Sequence, residues 1–303
     1  MKIAKLPLLA QIVNAGWIKQ HSNWFAELED MPNPIWYEQV EVDLTALADK
    51  VSVQKLALCY RSMLRDRHNF LDAAYEIHGA AFLARIGQKV DLHVPRGPKS
   101  QVNYDVRVEI DGVPIHADCK ARRDEFPLKS SFKDPEGGYS GSRAALDPHD
   151  GAALGLLPGT ELADMKYVAT PESTVVRQLL GDALIQLPDD GVNMVLFGQI
   201  FGDREHLERA LFRGAPVCDF VIDNATKKVV GTEWRQVGST AFSDPAFTRL
   251  SGVLWMRMTR LFGPLRHHYS LYVNPNAKAP IPPAVVALLD EEITCRTTSD
   301  VGS

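Results

Sequence analysis

The stretch YDVRVEIDGVPIHADCK, residues 104–120, decides the fold that the sequence predicts. Apolar and polar residues alternate on both sides of Asp111-Gly112, a dipeptide typical of the two-residue turn in a β-hairpin. Counting outward from that turn places Asp105 opposite Asp118. The alternation predicts one apolar face directed into the core, formed by Val106, Val108, Ile110, Val113, Ile115 and Ala117.

The other face of the predicted hairpin concentrates charge. Asp105 and Asp118 should repel each other when they lie opposite, so the pair needs a cation nearby. Lys120 follows on the same face, and a divalent metal ion would serve as well. Because Mg²⁺ and Mn²⁺ favour carboxylate and carbonyl oxygens, we expect one of them here, Mg²⁺ first. A solvated strand face with ordinary charged residues is the alternative.

A helix is predicted over residues 66–86, before three strand-like runs. Gly87 stands just past its end, where a left-handed cap is expected. One face of this helix is small and apolar with a single charged residue, and it comprises Ala73, Glu76, Gly79, Ala80 and Leu83. A carboxylate directed into a packing face needs a partner. A third carboxylate at the metal site explains the position of Glu76.

These residues resemble the PD-(D/E)xK nuclease superfamily, which includes type II restriction endonucleases, Holliday-junction resolvases and phage exonucleases. The match consists of Glu76, Tyr104-Asp105 and Asp118-Cys119-Lys120, and it covers about residues 66–200. Tyr104 replaces the usual Pro, and Asp118 stands where Glu is more frequent. The resemblance implies an α/β fold, namely a restriction endonuclease-like α/β sandwich with a central mixed sheet.

The resemblance also implies a role for each of these residues. Asp105 and Asp118 would bind the metal ion together with the backbone carbonyl of Cys119. Glu76 would bind it directly or through water. Lys120 would orient the attacking water, or stabilise the charge that develops on the phosphate. Whether one or two metal ions take part stays open.

Three further residues are candidates for contact with the substrate. In this superfamily the helix after the hairpin often directs a polar or basic residue to the phosphate, and a helix is predicted over 172–187. Gln178 is the first candidate on that helix and Arg177 the second. Arg122, directly after the motif, could form one wall of a phosphate groove, with a solvated loop as the alternative.

Three regions are predicted along the chain. Residues 1–65 form a helical N-terminal region, and residues 66–200 form the nuclease-like core with a long insertion at about 132–170. Residues 201–303 form an α+β C-terminal extension, with a helix predicted over 245–262. Three arginines share one side of that helix and form either a DNA-backbone face or a solvated face: Arg249, Arg257 and Arg260.

Composition narrows the function further. The 303 residues carry a net charge of −5, which excludes a histone-like or polybasic coat protein and still permits a local basic groove. The four cysteines form no C-x-x-C pair, which argues against a zinc ribbon or finger. No apolar run approaches the roughly 18 to 20 residues of a membrane helix, so we expect a cytoplasmic protein without membrane contact.

The sequence therefore predicts a metal-dependent nuclease that hydrolyses phosphodiester bonds of nucleic acid, with DNA as partner and endonucleolytic cutting. A homodimer is considered as well, because many enzymes of the superfamily cut both strands as dimers. One alternative is a non-catalytic nucleic-acid-binding or assembly module on the same fold. Another is an unrelated α/β protein in which the Asp118-x-Lys120 motif is accidental.

Overall fold

The computed structural model describes residues 5–21, 33–66, 69–95, 103–122, 143–145, 169–199, 204–213, 215–222, 229–237, 240–259 and 265–299. The helices are α1 (Pro7–Val13), α2 (Ala15–His21), α3 (Asn33–Ala48), α4 (Val53–Leu64), α5 (Phe70–Ile86), α6 (Glu172–Gln186), α7 (Arg204–Glu208) and α8 (Pro283–Ser299). The strands are β1 (Val90–Pro95), β2 (Asn103–Ile110), β3 (Val113–Arg122), β4 (Arg143–Ala145), β5 (Ala169–Pro171), β6 (Val192–Gln199), β7 (Ala215–Ile222), β8 (Val229–Val237), β9 (Gly252–Thr259) and β10 (Arg266–Val273).

A six-stranded sheet organises the fold, in the order β1-β2-β3-β6-β9-β10. Its first three strands are antiparallel, β3, β6 and β9 are parallel, and β10 is antiparallel to β9. The mixed α/β class with a mixed sheet, predicted from the sequence, is confirmed. No described helix is long and apolar enough to cross a membrane.

The hairpin of β2 and β3 has the predicted register. The pairs run from Ile110–Val113 to Val106–Ala117. Asp111 and Gly112 both have positive φ, 50° and 74°, as a two-residue hairpin turn requires. The apolar face is buried as predicted, with only Val113 partly exposed.

Helix α5 packs against this hairpin and is buried almost all round. The left-handed cap predicted at Gly87 is wrong, because its φ is −91° and its ψ is 155°. Glycine is required there for a different reason. A Cβ atom on Gly87 would lie 2.0 Å from Cγ2 of Val108, so the helix end approaches β2 too closely for any side chain.

The helix predicted over 245–262 is wrong. Residues 252–259 of that segment form strand β9, between β6 and β10, preceded by a short 3₁₀ turn at Pro245–Phe247. Residues 252–256 are all buried, and a short apolar run buried on both faces carries no strand periodicity. The expected arginine face therefore does not form. Arg249 instead donates hydrogen bonds to the carbonyls that end α6, and Arg260 lies outside the described residues.

The chain groups into two compact units. One comprises Met1–Arg123, Asp182–Phe201 and Thr248–Ser303, and it contains the six-stranded sheet. The other comprises Asp124–Gly181 and Gly202–Phe247 and contains the antiparallel pair of β7 and β8. The boundaries drawn from the sequence at 65/66 and 200/201 stay predictions.

The insertion predicted at about 132–170 lies outside the described residues, apart from 143–145 and 169–170. Those two segments belong to β4 and β5, which pair in parallel. The second unit therefore holds this short parallel pair beside its antiparallel one.

Candidate metal centre

Three potential metal ligands from three elements converge in the first unit. They are Glu76 on α5, His93 on β1 and Asp105 on β2. One ligand atom from each lies within 4.8 Å of the other two. Glu76 and Asp105 were predicted as metal ligands from the sequence, whereas His93 was not.

Glu76 lies on the buried side of α5, with 7% of its surface exposed. Its Oε1 is 2.7 Å from Nε2 of His93, which gives the carboxylate the partner that a buried charge requires. The helix face thus presents Glu76 to the sheet, as the sequence pattern predicts.

Asp118 and Lys120 lie next to this group on β3. Asp118 is fully buried, and its Oδ2 is 2.6 Å from Nζ of Lys120. Cys119 lies between Asp118 and Lys120 in the sequence. Its backbone N–H donates a 2.6 Å hydrogen bond to the carboxylate of Asp105. Glu76 raises the pKa of both Asp105 and Asp118, and each of these two aspartates also affects the pKa of the other. The four residues predicted as catalytic from the sequence are therefore brought together.

Gln186, at the end of α6, joins the same group. In the amide orientation that satisfies both of its polar atoms, its oxygen accepts from Nζ of Lys120 at 2.7 Å. Its nitrogen then donates to Oδ1 of Asp118 at 3.2 Å and to the carbonyl of Asn103 at 3.1 Å. One side chain therefore fixes both members of the Asp118–Lys120 ion pair.

Two carboxylates of the centre, Asp105 and Asp118, bind protons more tightly than usual. Burial is the main cause for Asp105, whose pKa is well above its ordinary value, and Glu76 and Asp118 add repulsion. Burial likewise raises the pKa of Asp118 to about 6, against the opposing effect of Lys120. Such clustered, buried carboxyl groups repel one another when they are ionised. A divalent cation bound among them would offset that repulsion.

The cations of the centre are held in their charged forms. Hydrogen bonds with Cys59 and Glu76 raise the pKa of His93 to about 10. Burial alone would lower the pKa of Lys120, but Asp118 more than offsets it and the pKa is raised. A metal ion would therefore compete with a proton for the ring of His93.

The donor set fits a divalent cation. Two carboxylates and an imidazole are available, and carboxylates are the ligands that Mg²⁺ and Mn²⁺ prefer. The fully buried hydroxyl of Tyr60 makes no hydrogen bond of good geometry to a described residue. The nearby Glu76 and Asp105, together with burial, raise its pKa, so this hydroxyl borders the same centre.

Among the described residues, the contacts of the centre include none of the predicted substrate contacts. Gln178 is exposed, and Arg177 pairs with Asp244 and lies over the ring of Phe247. Both predicted residues belong to the part of α6 in the second unit. Arg122 ends β3, and its side chain lies outside the described residues. Their contact with substrate stays a prediction.

His93 was not predicted from the sequence, because the register of β1 against β2 could not be counted. In the structure Leu92 pairs with Val106 and Val94 with Tyr104, so His93 and Asp105 stand at the same level of adjacent strands. The β2–β3 register follows from a two-residue turn, but no short turn joins β1 to β2. The sequence offered one signal, namely that His93 occupies a polar position in the alternating run of residues 90–94.

Comparisons with protein-family models, curated proteins and solved structures found no match for this chain.

Proposed function

We propose that this chain is a metal-dependent nuclease of the PD-(D/E)xK kind, which hydrolyses phosphodiester bonds of nucleic acid and acts on DNA as an endonuclease. One observation carries the proposal. Glu76, Asp105, Asp118 and Lys120 meet in the first unit, three of them on neighbouring strands and one on the helix that packs on those strands. Any one of these residues alone would be unremarkable on a protein surface.

Each residue of the centre has a part in that reaction. Glu76, Asp105 and Asp118 would hold Mg²⁺ or Mn²⁺, with the Cys119 carbonyl as a further oxygen donor. When bound, such an ion lowers the pKa of its water and draws charge from the phosphoryl oxygens. Lys120 stays protonated beside Asp118 and supplies a fixed positive charge to the developing phosphate oxyanion.

The proposal also covers the type of fold, the residues that contact the substrate, the dimer and the cellular location. The sheet and α5 form the core of a restriction endonuclease-like fold, and Arg122, Arg177 and Gln178 contact the nucleic acid. A second copy of the chain would supply the cut on the other strand. The protein acts in the cytoplasm.

The experiment is cleavage of a substrate panel with Mg²⁺, Mn²⁺ or EDTA. The panel contains supercoiled plasmid, linear duplex, branched DNA, single strands and RNA. Wild type is compared with Asp105→Ala and Lys120→Ala. The exposed Asp91→Ala and Lys89→Ala, on or next to β1, are the matched controls.

Metal-dependent cutting that both site variants lose and both controls keep would support the proposal and identify the substrate. Retained metal binding without cutting on any substrate would favour the binding or assembly module. Metal binding that is absent, or indifferent to Asp105, would overturn the assignment to this superfamily.

A further inference from the structure

His93 adds a nitrogen donor to a centre that the motif residues alone would make entirely of oxygen. Its Nε2 lies 2.7 Å from Oε1 of Glu76, and a ligand atom of Asp105 lies within 4.8 Å of both residues' donors. The ring is only 28% exposed, so it belongs to the lining of the centre and not to the outer surface. An imidazole in this place changes which cations the centre can prefer.

The backbone at His93 is held in an unfavourable conformation. Its φ is +48°, in the left-handed region that non-glycine residues seldom occupy. The neighbouring pairs, Leu92 with Val106 and Val94 with Tyr104, keep their ordinary places in the sheet. Strain of this kind persists where surrounding contacts impose it, often at functional sites.

Two residues of α4 hold the ring. Tyr60 packs edge-to-face against it, with 5.4 Å between ring centroids, and the thiol of Cys59 lies beside it. Both residues are buried. The Tyr60 hydroxyl, fully buried and without a well-formed hydrogen bond to a described residue, lies beside Glu76 and Asp105. A polar atom that is buried without a partner is costly, and a hydrated ion bound at the centre would supply one.

We infer that His93 is a metal ligand and that its nitrogen makes the centre select Mn²⁺ over Mg²⁺. Imidazole is a ligand for transition ions, whereas Mg²⁺ takes oxygen donors and retains its waters. Of these two ions, Mn²⁺ fits two carboxylates and one imidazole better, because carboxylates suit both ions and a transition ion accepts a nitrogen donor more readily than Mg²⁺ does. This inference rests on the proposed metal centre and goes beyond it in assigning the ligand and the ion.

The affinities of Mn²⁺ and Mg²⁺ test it, measured by titration calorimetry on the full chain. His93→Gln replaces the nitrogen donor with an amide and leaves the carboxylates in place. Its matched control is His268→Gln, an exposed histidine of β10. We expect His93→Gln to lower the ratio of Mn²⁺ to Mg²⁺ affinity about ten-fold or more, because even loss of a residue that only supports a ligand costs about 10- to 100-fold. The control should leave that ratio unchanged.

A spectroscopic measurement on the wild type needs no variant. Pulsed electron paramagnetic resonance of bound Mn²⁺ should show coupling to an imidazole ¹⁴N nucleus. Absence of that coupling would overturn the inference, whether or not His93→Gln folds. An equal loss of Mn²⁺ and Mg²⁺ affinity in His93→Gln would also overturn it, since that result describes a structural role.

The two proposals can fail separately. Nitrogen coupling and His93-dependent selectivity without any cleavage would uphold the ligand assignment and contradict the nuclease. Cleavage that depends on Asp105 but proceeds equally with either ion, before and after His93→Gln, would uphold the nuclease and contradict the ligand assignment.

Discussion

At the scale of single residues, the centre depends on how its one lysine is held. Lys120 lies between the Asp118 carboxylate and the amide oxygen of Gln186, which together fix the position of its ammonium group. A lysine side chain has several freely rotating bonds, so ordering it beforehand spares the reaction an entropy cost. Gln186 is accordingly a positioning residue in the proposed reaction.

We expect Gln186→Ala to lower both kcat and metal affinity, by up to about 10- to 100-fold, because its amide contacts Lys120 and also the proposed ligand Asp118. Asp182→Ala, an exposed residue of the same helix, is the matched control. Cleavage rates and metal titrations of both variants provide the check. No loss in Gln186→Ala, or an equal loss in Asp182→Ala, would contradict this role.

The sequence predicted the paired carboxylates and the lysine because a two-residue turn makes the register of the hairpin countable. It did not predict His93 or Gln186. Their proximity to the centre depends on how β1 and α6 approach the hairpin, and tertiary packing decides that approach. Gln178 and Gln186 both lie on the predicted helix, and helical periodicity alone does not distinguish them.

At the scale of elements, the close approach of α5 to β2 is what brings Glu76 to the sheet. Gly87 permits that approach, as its hypothetical Cβ would meet Val108 at 2.0 Å and the Leu83 carbonyl at 3.0 Å. Gly181, in α6, has no atom within 4 Å of its hypothetical Cβ. Replacement by alanine should therefore have opposite effects on stability at Gly87 and at Gly181.

We expect Gly87→Ala to lower the free energy of unfolding by about 1 to 3 kcal/mol through overpacking. Gly181→Ala should raise it by up to about 1 kcal/mol, since alanine is the better helix former. Urea unfolding of both variants measures these changes. Equal effects of the two substitutions would show that the contact of α5 with β2 does not limit packing.

Elements with a clear local pattern were predicted well, and elements defined by their surroundings were not. The hairpin, α5 and α6 lie close to where the sequence predicted them. Strand β9 was taken for a helix, because a strand buried on both faces shows no alternation. Helix α8 was not predicted, although Pro283 stands at its first position, where proline is well tolerated.

At the scale of the whole molecule, one buried polar group ties three sequence regions together. Asp43 of α3 contacts Nδ1 of His78 at 2.7 Å and the guanidinium of Arg85 at 2.8 Å, both on α5. His78 Nε2 is in turn 2.8 Å from the hydroxyl of Tyr269 on β10. The N-terminal helices, the core helix and the C-terminal strand thus share one ionic network.

This network predicts a dependence of stability on pH. Burial opposes ionisation of Asp43, but His78 and Arg85 lower its pKa to about 2, below the 3.8 of an ordinary aspartate. A lowered pKa means that the contribution is complete above about pH 4 and is lost as the pH falls through about 2.

We expect Asp43→Asn to lower the free energy of unfolding by about 3 to 5 kcal/mol near neutral pH, as breaking a buried ion pair does. The gap to wild type should narrow between pH 4 and pH 2, and urea unfolding across that range measures it. The exposed Asp49→Asn is the control. A gap that stays constant down to pH 2 would contradict the proposed ionisation of Asp43.

The discontinuous first unit has a consequence for synthesis on the ribosome. Its parallel strands β3, β6 and β9 come from three separate segments of chain, and the last of them ends at residue 259. A nascent chain that stops before β9 leaves β6 with an unpaired edge, and pairing over such separations is slow. Gln186 and β6 reach the hairpin only after the second unit's first segment has been translated. The sheet of the proposed nuclease is therefore completed late, and chains released before residue 186 lack the side chain that positions Lys120.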